Sequence, residues 1–286
     1  MKRPILTKAN NRTIPAQYHP YSGSPENWLS SGISFDFFIN WKTYAVQNEI
    51  WVKRLLDKDE MPPKLNIYNY LKDNDGDFLD LYNFASGHGF DLHYMLFDDT
   101  QNWGDDDSIL FDLHCANGNW INERVDLTNI KSRICELSGG KMRIGEKGLF
   151  LSTSNLETTL SKTDYPWPGD VDAIVLHKDN KVPLVMLEYR KHTRESDFES
   201  VSNYYINKAD KRKYDRLQLL KNAINPQLSL IVVTYPTSVN IHKVLLESIK
   251  VEGGKMLIED SITCQLPNGI NQSMEYKKAI YYIIKK

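Results

Sequence analysis

The sequence predicts an α/β fold for the C-terminal half (α+β over the whole chain), preceded by a mostly β N-terminal domain, and three observations carry that expectation. Residues 171–176 and 183–190 are apolar runs joined by the turn Lys178-Asp179-Asn180-Lys181. Both runs are apolar on both faces, as strands central to a covered sheet are. Residues 208–224 then read as a helix, followed by a further apolar run at 228–235, so strand, helix and strand alternate. Before residue 125, short strand-like runs are separated by Asp-, Asn- and Gly-rich turns such as Gly104-Asp105-Asp106-Asp107. The expected division is therefore 1–125 and 126–286.

In chain order, the first 30 or so residues are rich in Asn, Pro, Ser, Gln and Tyr without periodicity and read as an extended arm or an irregular lead-in. Residues 33–39 read as a strand. Ala45, Glu49, Trp51, Val52, Leu55 and Leu56 recur at helical spacing, so 43–56 reads as a helix, which Pro62-Pro63 prevents from continuing. Residues 78–82, 90–97 and 109–113 read as strands. Thr128 is placed to cap a helix with Ile130, Ile134 and Leu137 on one face, ended by Gly139-Gly140. A short strand is expected at 148–151, then the hairpin 171–190. In the helix 208–224, Tyr214, Leu217, Leu220 and Ile224 form one stripe. Two final strands, 256–266 and 279–284, flank the turn Pro267-Asn268-Gly269.

Composition narrows the function classes. Charged residues at 25% and hydrophobic residues at 41% suit a folded globular chain. The start lacks the apolar region of a secretory signal, and no apolar run approaches the roughly 18 residues of a membrane span. Cys115, Cys135 and Cys264 are too few and too scattered for a disulfide framework, so a reducing, cytoplasmic compartment is expected. The net charge of −2 conceals an asymmetry: residues 1–130 hold 11 basic and 19 acidic side chains, residues 131–286 hold 24 and 18. A basic half of this kind hints at a polyanionic partner.

The stretch that can carry chemistry is Pro168-Gly169-Asp170-Val171-Asp172, then fifteen residues, then Glu188-Tyr189-Arg190-Lys191. A hairpin centred on Asn180 pairs residues whose numbers sum to 360 and sets Asp172 opposite Glu188. Opposed Cβ atoms lie about 4.5–5.5 Å apart. Period-two alternation puts Asp170 on the face of Asp172 and Arg190 on the face of Glu188. Two acids at the edge of an apolar sheet repel and are costly to desolvate, so a cation is the natural company for them. Oxygen donors suit Mg²⁺ or Mn²⁺. The bland alternative is that Asp170 shapes the strand entry and Glu188 pairs with Arg190 or Lys191.

These residues resemble the PD-(D/E)XK nuclease superfamily, over roughly residues 126–236: an Asp before an apolar run, a turn, then an apolar strand ending in Glu188-Tyr189-Arg190-Lys191-His192-Thr193. The order helix, three strands, helix, strand resembles that superfamily's restriction-endonuclease-like core, a mixed central sheet flanked by helices. The resemblance implies a metal-dependent endonuclease acting on DNA (or RNA), of restriction, phage-defence or mobile-element type. Asp172 and Glu188 are its metal ligands, Asp170 a helper, and Mg²⁺ or Mn²⁺ the cofactor. The family lysine, two residues after the Glu, is replaced here by Arg190, with Lys191 one place later. Arg190 or Lys191 would stabilise the attacked phosphate; arginine keeps the charge but stays protonated. Loss of the lysine leaves a second reading, a degenerate nuclease fold that binds nucleic acid or a protein. A further acidic ligand is expected from Glu146, with Glu136 and Glu157 as alternatives; Glu136 projects away from the Ile130/Ile134/Leu137 stripe.

The helix 208–224 also supplies a phosphate-contacting face. Lys208, Lys211, Arg212, Lys213, Arg216 and Lys221 outnumber Asp210 and Asp215, and Lys208, Arg212 and Arg216 recur at i, i+4 and i+8. A solvated helix surface with Asp215 paired locally is the plainer alternative. Tyr204 and Tyr205, in the connection before it, have rings able to stack on bases. The N-terminal domain would position substrate, form a homodimer or recognise a protein partner. His88 and His93, without a companion cysteine, and His114-Cys115, without a second pair, argue against a zinc site.

Overall fold

A computed structural model of the chain describes residues 6–8, 32–56, 67–98, 103–104, 109–116, 119–141, 150–152, 155–161, 168–192, 194–206, 208–236, 238, 240–267 and 270–286. Most of the irregular lead-in, Glu146 and the start of the strand expected at 148–151 lie outside them; Leu6–Lys8 of the lead-in form a strand. Contacts divide the chain into two units, one built mainly on residues 34–170 and the other on 171–286. The change-over follows Asp170 rather than residue 125, because Ile130, Ile134 and Leu137 pack with Phe38 and Trp51 in the core of the first unit.

The first unit holds β1 (Leu6–Lys8), β2 (Gly32–Asn40), β3 (Ala45–Leu56), α1 (Ile67–Asn74), α2 (Phe78–His88), β4 (Asp91–Asp98), β5 (Ile109–Ala116), β6 (Asn119–Asp126), α3 (Leu127–Leu137), β7 (Phe150–Ser152) and α4 (Asn155–Ser161). β2 to β6 lie in sequence order; β3 and β4 are parallel, the other neighbours antiparallel. β1 and β7 form a separate antiparallel pair.

Three expectations fail here. Residues 43–56 are not a helix: β3 occupies 45–56. Its residues Glu49 to Arg54 are all buried, since the strand lies between β2 and β4 and is covered on both faces. A run buried on both faces carries no period-two signal, and its apolar spacing matched a helix by coincidence. Residues 78–82 are not a strand but the start of α2. Phe78, Leu81, Phe84 and Ala85 are its buried face, at helical intervals. A parallel pair such as β3–β4 requires a crossover, and α1 and α2 supply it. Gly89, at φ 73°, ends α2 in the left-handed conformation, its N–H donating to Ala85 O. The cap of α3 is Asp126, not Thr128; its Oδ1 accepts from Asn129 N at 2.7 Å.

The second unit contains β8 (Gly169–Leu176), β9 (Pro183–His192), α5 (Lys208–Ile224), β10 (Ser229–Pro236), β11 (Lys243–Glu252), β12 (Lys255–Gln265) and α6 (Ile270–Lys285). β8 to β12 again lie in sequence order, β9 and β10 parallel and the other neighbours antiparallel. Residues 279–284 are therefore helical, not a strand. Tyr276, Ile280 and Ile283 recur at i, i+4 and i+7 and enter the core with Leu187, Ile231 and Val233. The stripe begins before the apolar run does, which hid it. The expected order of helix and three strands before α5 also changes, because α3 belongs to the first unit and β7 pairs with β1.

Both units follow one plan: a hairpin, a helical crossover to a parallel strand, two more antiparallel strands and a helix. Their parallel ladders match in length, eight rungs from Glu49↔Asp91 to Leu56↔Asp98 and eight from Val185↔Ser229 to His192↔Pro236. Equivalent rungs can thus be compared. Substituting Ile134→Ala, in the core under α3, is expected to cost about 2–5 kcal/mol of stability. Ser132→Ala, exposed on the same helix, is expected to stay within about 0.5 kcal/mol. Urea unfolding curves of the two variants check the contrast.

Candidate functional site

The hairpin register fixes the central geometry of the second unit. Ala173↔Leu187, Ile174↔Met186 and Val175↔Val185 all sum to 360, as the turn at Asn180 predicts. One residue beyond the Ala173↔Leu187 rung, Asp172 stands across from Glu188. Here the Asp172 carboxylate replaces backbone pairing, Oδ2 accepting from Tyr189 N at 2.7 Å. Asp172 is half-buried and Asp170 exposed; Glu188, on the strand between β8 and β10, is 0% exposed.

A carboxylate so placed needs a positive charge, and α5 brings one: Lys213 Nζ forms an ion pair with Glu188 Oε1. Lys213 reaches this face because Tyr214, Leu217 and Leu220 anchor the helix against the sheet. Tyr235, on β10, senses the whole group. Burial raises its phenol pKa first, the Asp172 charge adds, Lys213 opposes and Glu188 adds again. Lys191 is held below the ordinary lysine range by burial and then by the charge of Lys213. Arg190 is engaged elsewhere: its guanidinium lies 3.5 Å from the Tyr204 ring centroid, and Nη1 donates to Glu199 O at 3.4 Å. Lys213 is thus the cation paired with Glu188, and Lys191 lies close enough to Lys213 to feel its charge.

The remaining bases of α5 divide. Lys211 donates to Asp215 and to the Tyr205 hydroxyl, both at 2.8 Å, the local pairing that competes with phosphate contact. Arg212 is exposed, and Arg216 Nε donates to Arg212 O. Lys221 is 5% exposed and so points away from solvent. The side chains of Lys208 and Glu157 lie outside the described residues. Glu136 is exposed and paired with Arg133, clear of the core stripe. One acid escaped the sequence reading: Glu247 on β11, 2% exposed, lies across Val232 from Glu188 and accepts from Val201 N at 2.8 Å. It pins the start of the connection that carries Tyr204 and Tyr205.

A second polar group lies in the first unit. His93 on β4 faces His114 on β5, and Asp112, two residues before His114, shares their face. His93 Nδ1 is 2.7 Å and His114 Nδ1 3.3 Å from Asp112 Oδ2. These three side chains can hold a metal ion. Burial alone would raise the Asp112 carboxyl pKa, but His114 and His93 outweigh it and hold it below its ordinary value. The group contains no cysteine, and its signal in the sequence is Asp-x-His on one strand opposite a histidine on the next.

No family model, no curated protein and no solved structure matches the chain. Among the described residues no helix is long and apolar enough to cross a membrane.

Lys213→Met removes the cation from Glu188 Oε1, and a loss of about 3–5 kcal/mol in denaturant stability is expected. Adding Glu188→Gln should return most of it. A loss below about 1 kcal/mol in the single variant would mean that the pair does not hold α5 to the sheet.

Proposed function

We propose that the second unit is a metal-dependent nuclease of the PD-(D/E)XK type, hydrolysing phosphodiester bonds in DNA, with RNA as the alternative substrate. The observation that carries this reading is the comparison of equivalent rungs. Glu188 stands on the fourth rung of the β9–β10 ladder; the fourth rung of β3–β4 holds Val52, and its neighbour one step beyond Asp36↔Trp51 is Phe35. Val52 and Phe35 are buried apolar side chains. The same plan therefore folds without acids at these positions, and the desolvation cost of Asp172 and Glu188 is borne for something other than folding.

The donor set fits the group the reading requires. Asp172 and Glu188 offer oxygen donors of the kind hard divalent cations prefer, Mg²⁺ or Mn²⁺, and exposed Asp170 on the same strand adds negative charge. When bound, such an ion polarises the scissile phosphate and neutralises its charge. Lys213, paired with Glu188, and Lys191, which feels the Lys213 charge, would stabilise the attacked phosphate. With its lowered pKa, Lys191 is the better placed of the two to exchange a proton. Arg212 and Arg216 hold the backbone without reading sequence. The order from β8 to β10, two antiparallel strands, a helix and a parallel strand, supports this reading.

The Lys213–Glu188 pair favours one other reading, a nuclease fold whose acid is permanently neutralised and which only binds nucleic acid. Plasmid and oligonucleotide cleavage with Mg²⁺ or Mn²⁺ separates the two. Nuclease activity is expected in the wild type, with losses of 10²-fold or more in Asp172→Asn and Glu188→Gln. Arg190→Lys should change turnover less than Lys191→Met does, since Arg190 is committed to Tyr204. Binding without cleavage under either metal would select the second reading. Undiminished cleavage in both acid variants would remove the site assignment.

A further inference from the structure

The structure assigns a transition-metal site to the first unit, formed by His93, Asp112 and His114, with Zn²⁺ as the fitting class of ion. It stands apart from the Asp172–Glu188 reading and does not depend on it. The three donors come from two paired strands. β4 and β5 place the two imidazoles face to face, with ring centroids 5.0 Å apart and planes 26° from parallel. Asp112 Oδ2 lies 2.7 Å from His93 Nδ1 and 3.3 Å from His114 Nδ1. Donor atoms about 2.0–2.1 Å from a shared tetrahedral ion are separated by roughly 3.3 Å, so the spacing is close to that of a ligand set. Two imidazoles and one carboxylate favour zinc and its neighbours over Mg²⁺ or Ca²⁺.

Hydrogen bonding alone leaves this cluster incomplete. Asp112 is 5% exposed, and among the described residues its Oδ1 has no hydrogen-bond partner, while the buried Nδ1 of His114 meets the same Asp112 Oδ2 as His93, at 3.3 Å. A buried acceptor without a partner is costly in a folded protein. Both imidazoles crowd one oxygen, and an ion between the three groups would satisfy His114 Nδ1 and the carboxylate together. Glu49 on β3 supplies the outer support. Its Oε2 is 3.8 Å from His93 Nε2, the ring atom turned away from Asp112, where a carboxylate orients a metal-bound imidazole. Glu49 is itself fixed, Oε2 accepting from Trp51 Nε1 at 3.1 Å and Oε1 pairing with Arg133. Glu123, opposite Asp112 on β6, adds a negative charge that acts on His114.

The shared plan does not demand these side chains. The positions in the second unit that match His93, Asp112 and His114 are Ile231, Leu246 and Ser248, two of them core apolar residues. Three protein donors leave a fourth coordination position for water or a ligand group, the pattern of open zinc sites.

The test uses the full chain, stripped by chelator and titrated with Zn²⁺ and with Co²⁺, followed by calorimetry and by visible absorption of the cobalt form. One equivalent should bind, with the absorption of a four-coordinate cobalt site, and millimolar Mg²⁺ should not displace it. Asp112→Asn and His114→Asn should each weaken binding at least tenfold. Glu49→Gln should weaken it about 10-fold to 100-fold. Asp172→Asn should leave it unchanged. Circular dichroism of the metal-free variants controls for folding, and His93→Gln replaces any variant whose spectrum departs from the wild type. Absence of saturable binding, binding that survives the triad substitutions, or binding lost in Asp172→Asn would each overturn the assignment.

Discussion

A carboxylate on a strand flanked on both sides, out of reach of water, persists beside a positive charge or a hydrogen-bond donor, and Lys213 supplies the charge for Glu188 in the second unit. The pair ties the crossover helix to the strand that carries the acid. It also brings a lysine to the end of β9 where Asp172, Lys191 and Tyr235 gather. Helix position, local electrostatics and candidate chemistry therefore rest on the same contact. Glu247 performs a related service one strand further on, holding the connection before α5 by a single backbone N–H.

The two units show how one plan accommodates different polar groups. Apolar Val52 and Phe35 stand where the second unit has Glu188 and Asp172, and apolar Ile231 and Leu246 stand where the first has His93 and Asp112. Except for Ser248, which matches His114, each polar group occupies positions that the other unit fills with apolar core. Burying charge without a partner is unfavourable, so each group is organised internally, by Lys213 in one unit and by a carboxylate shared between imidazoles in the other.

Local chemistry made much of this legible in the sequence. The turn at Asn180 set a register summing to 360, which placed Asp172 across from Glu188, and the stripe Tyr214, Leu217 and Leu220 marked the buried face of α5. β3 and the start of α2 were misread for one reason. Burial on both faces erases the alternation of a strand, and the first residues of an amphipathic helix imitate it. Lys213 looked like one more surface base, because its partner is set by how a helix lies on a sheet and not by spacing along the chain. His93 and His114 meet only through the pairing of β4 with β5, and the turn signal Gly104-Asp105-Asp106-Asp107 between them marks a reversal without setting the register.

The central claim is that Asp172 and Glu188 together form a divalent cation site in the second unit. The most direct measurement is anomalous diffraction from crystals of the chain grown with Mn²⁺ and a short DNA duplex. The account predicts a manganese peak bridging the Asp172 and Glu188 carboxylates, with Lys213 turned from Glu188 toward a phosphate. A Glu188–Lys213 pair left intact at saturating Mn²⁺, with no peak beside either acid, would contradict it.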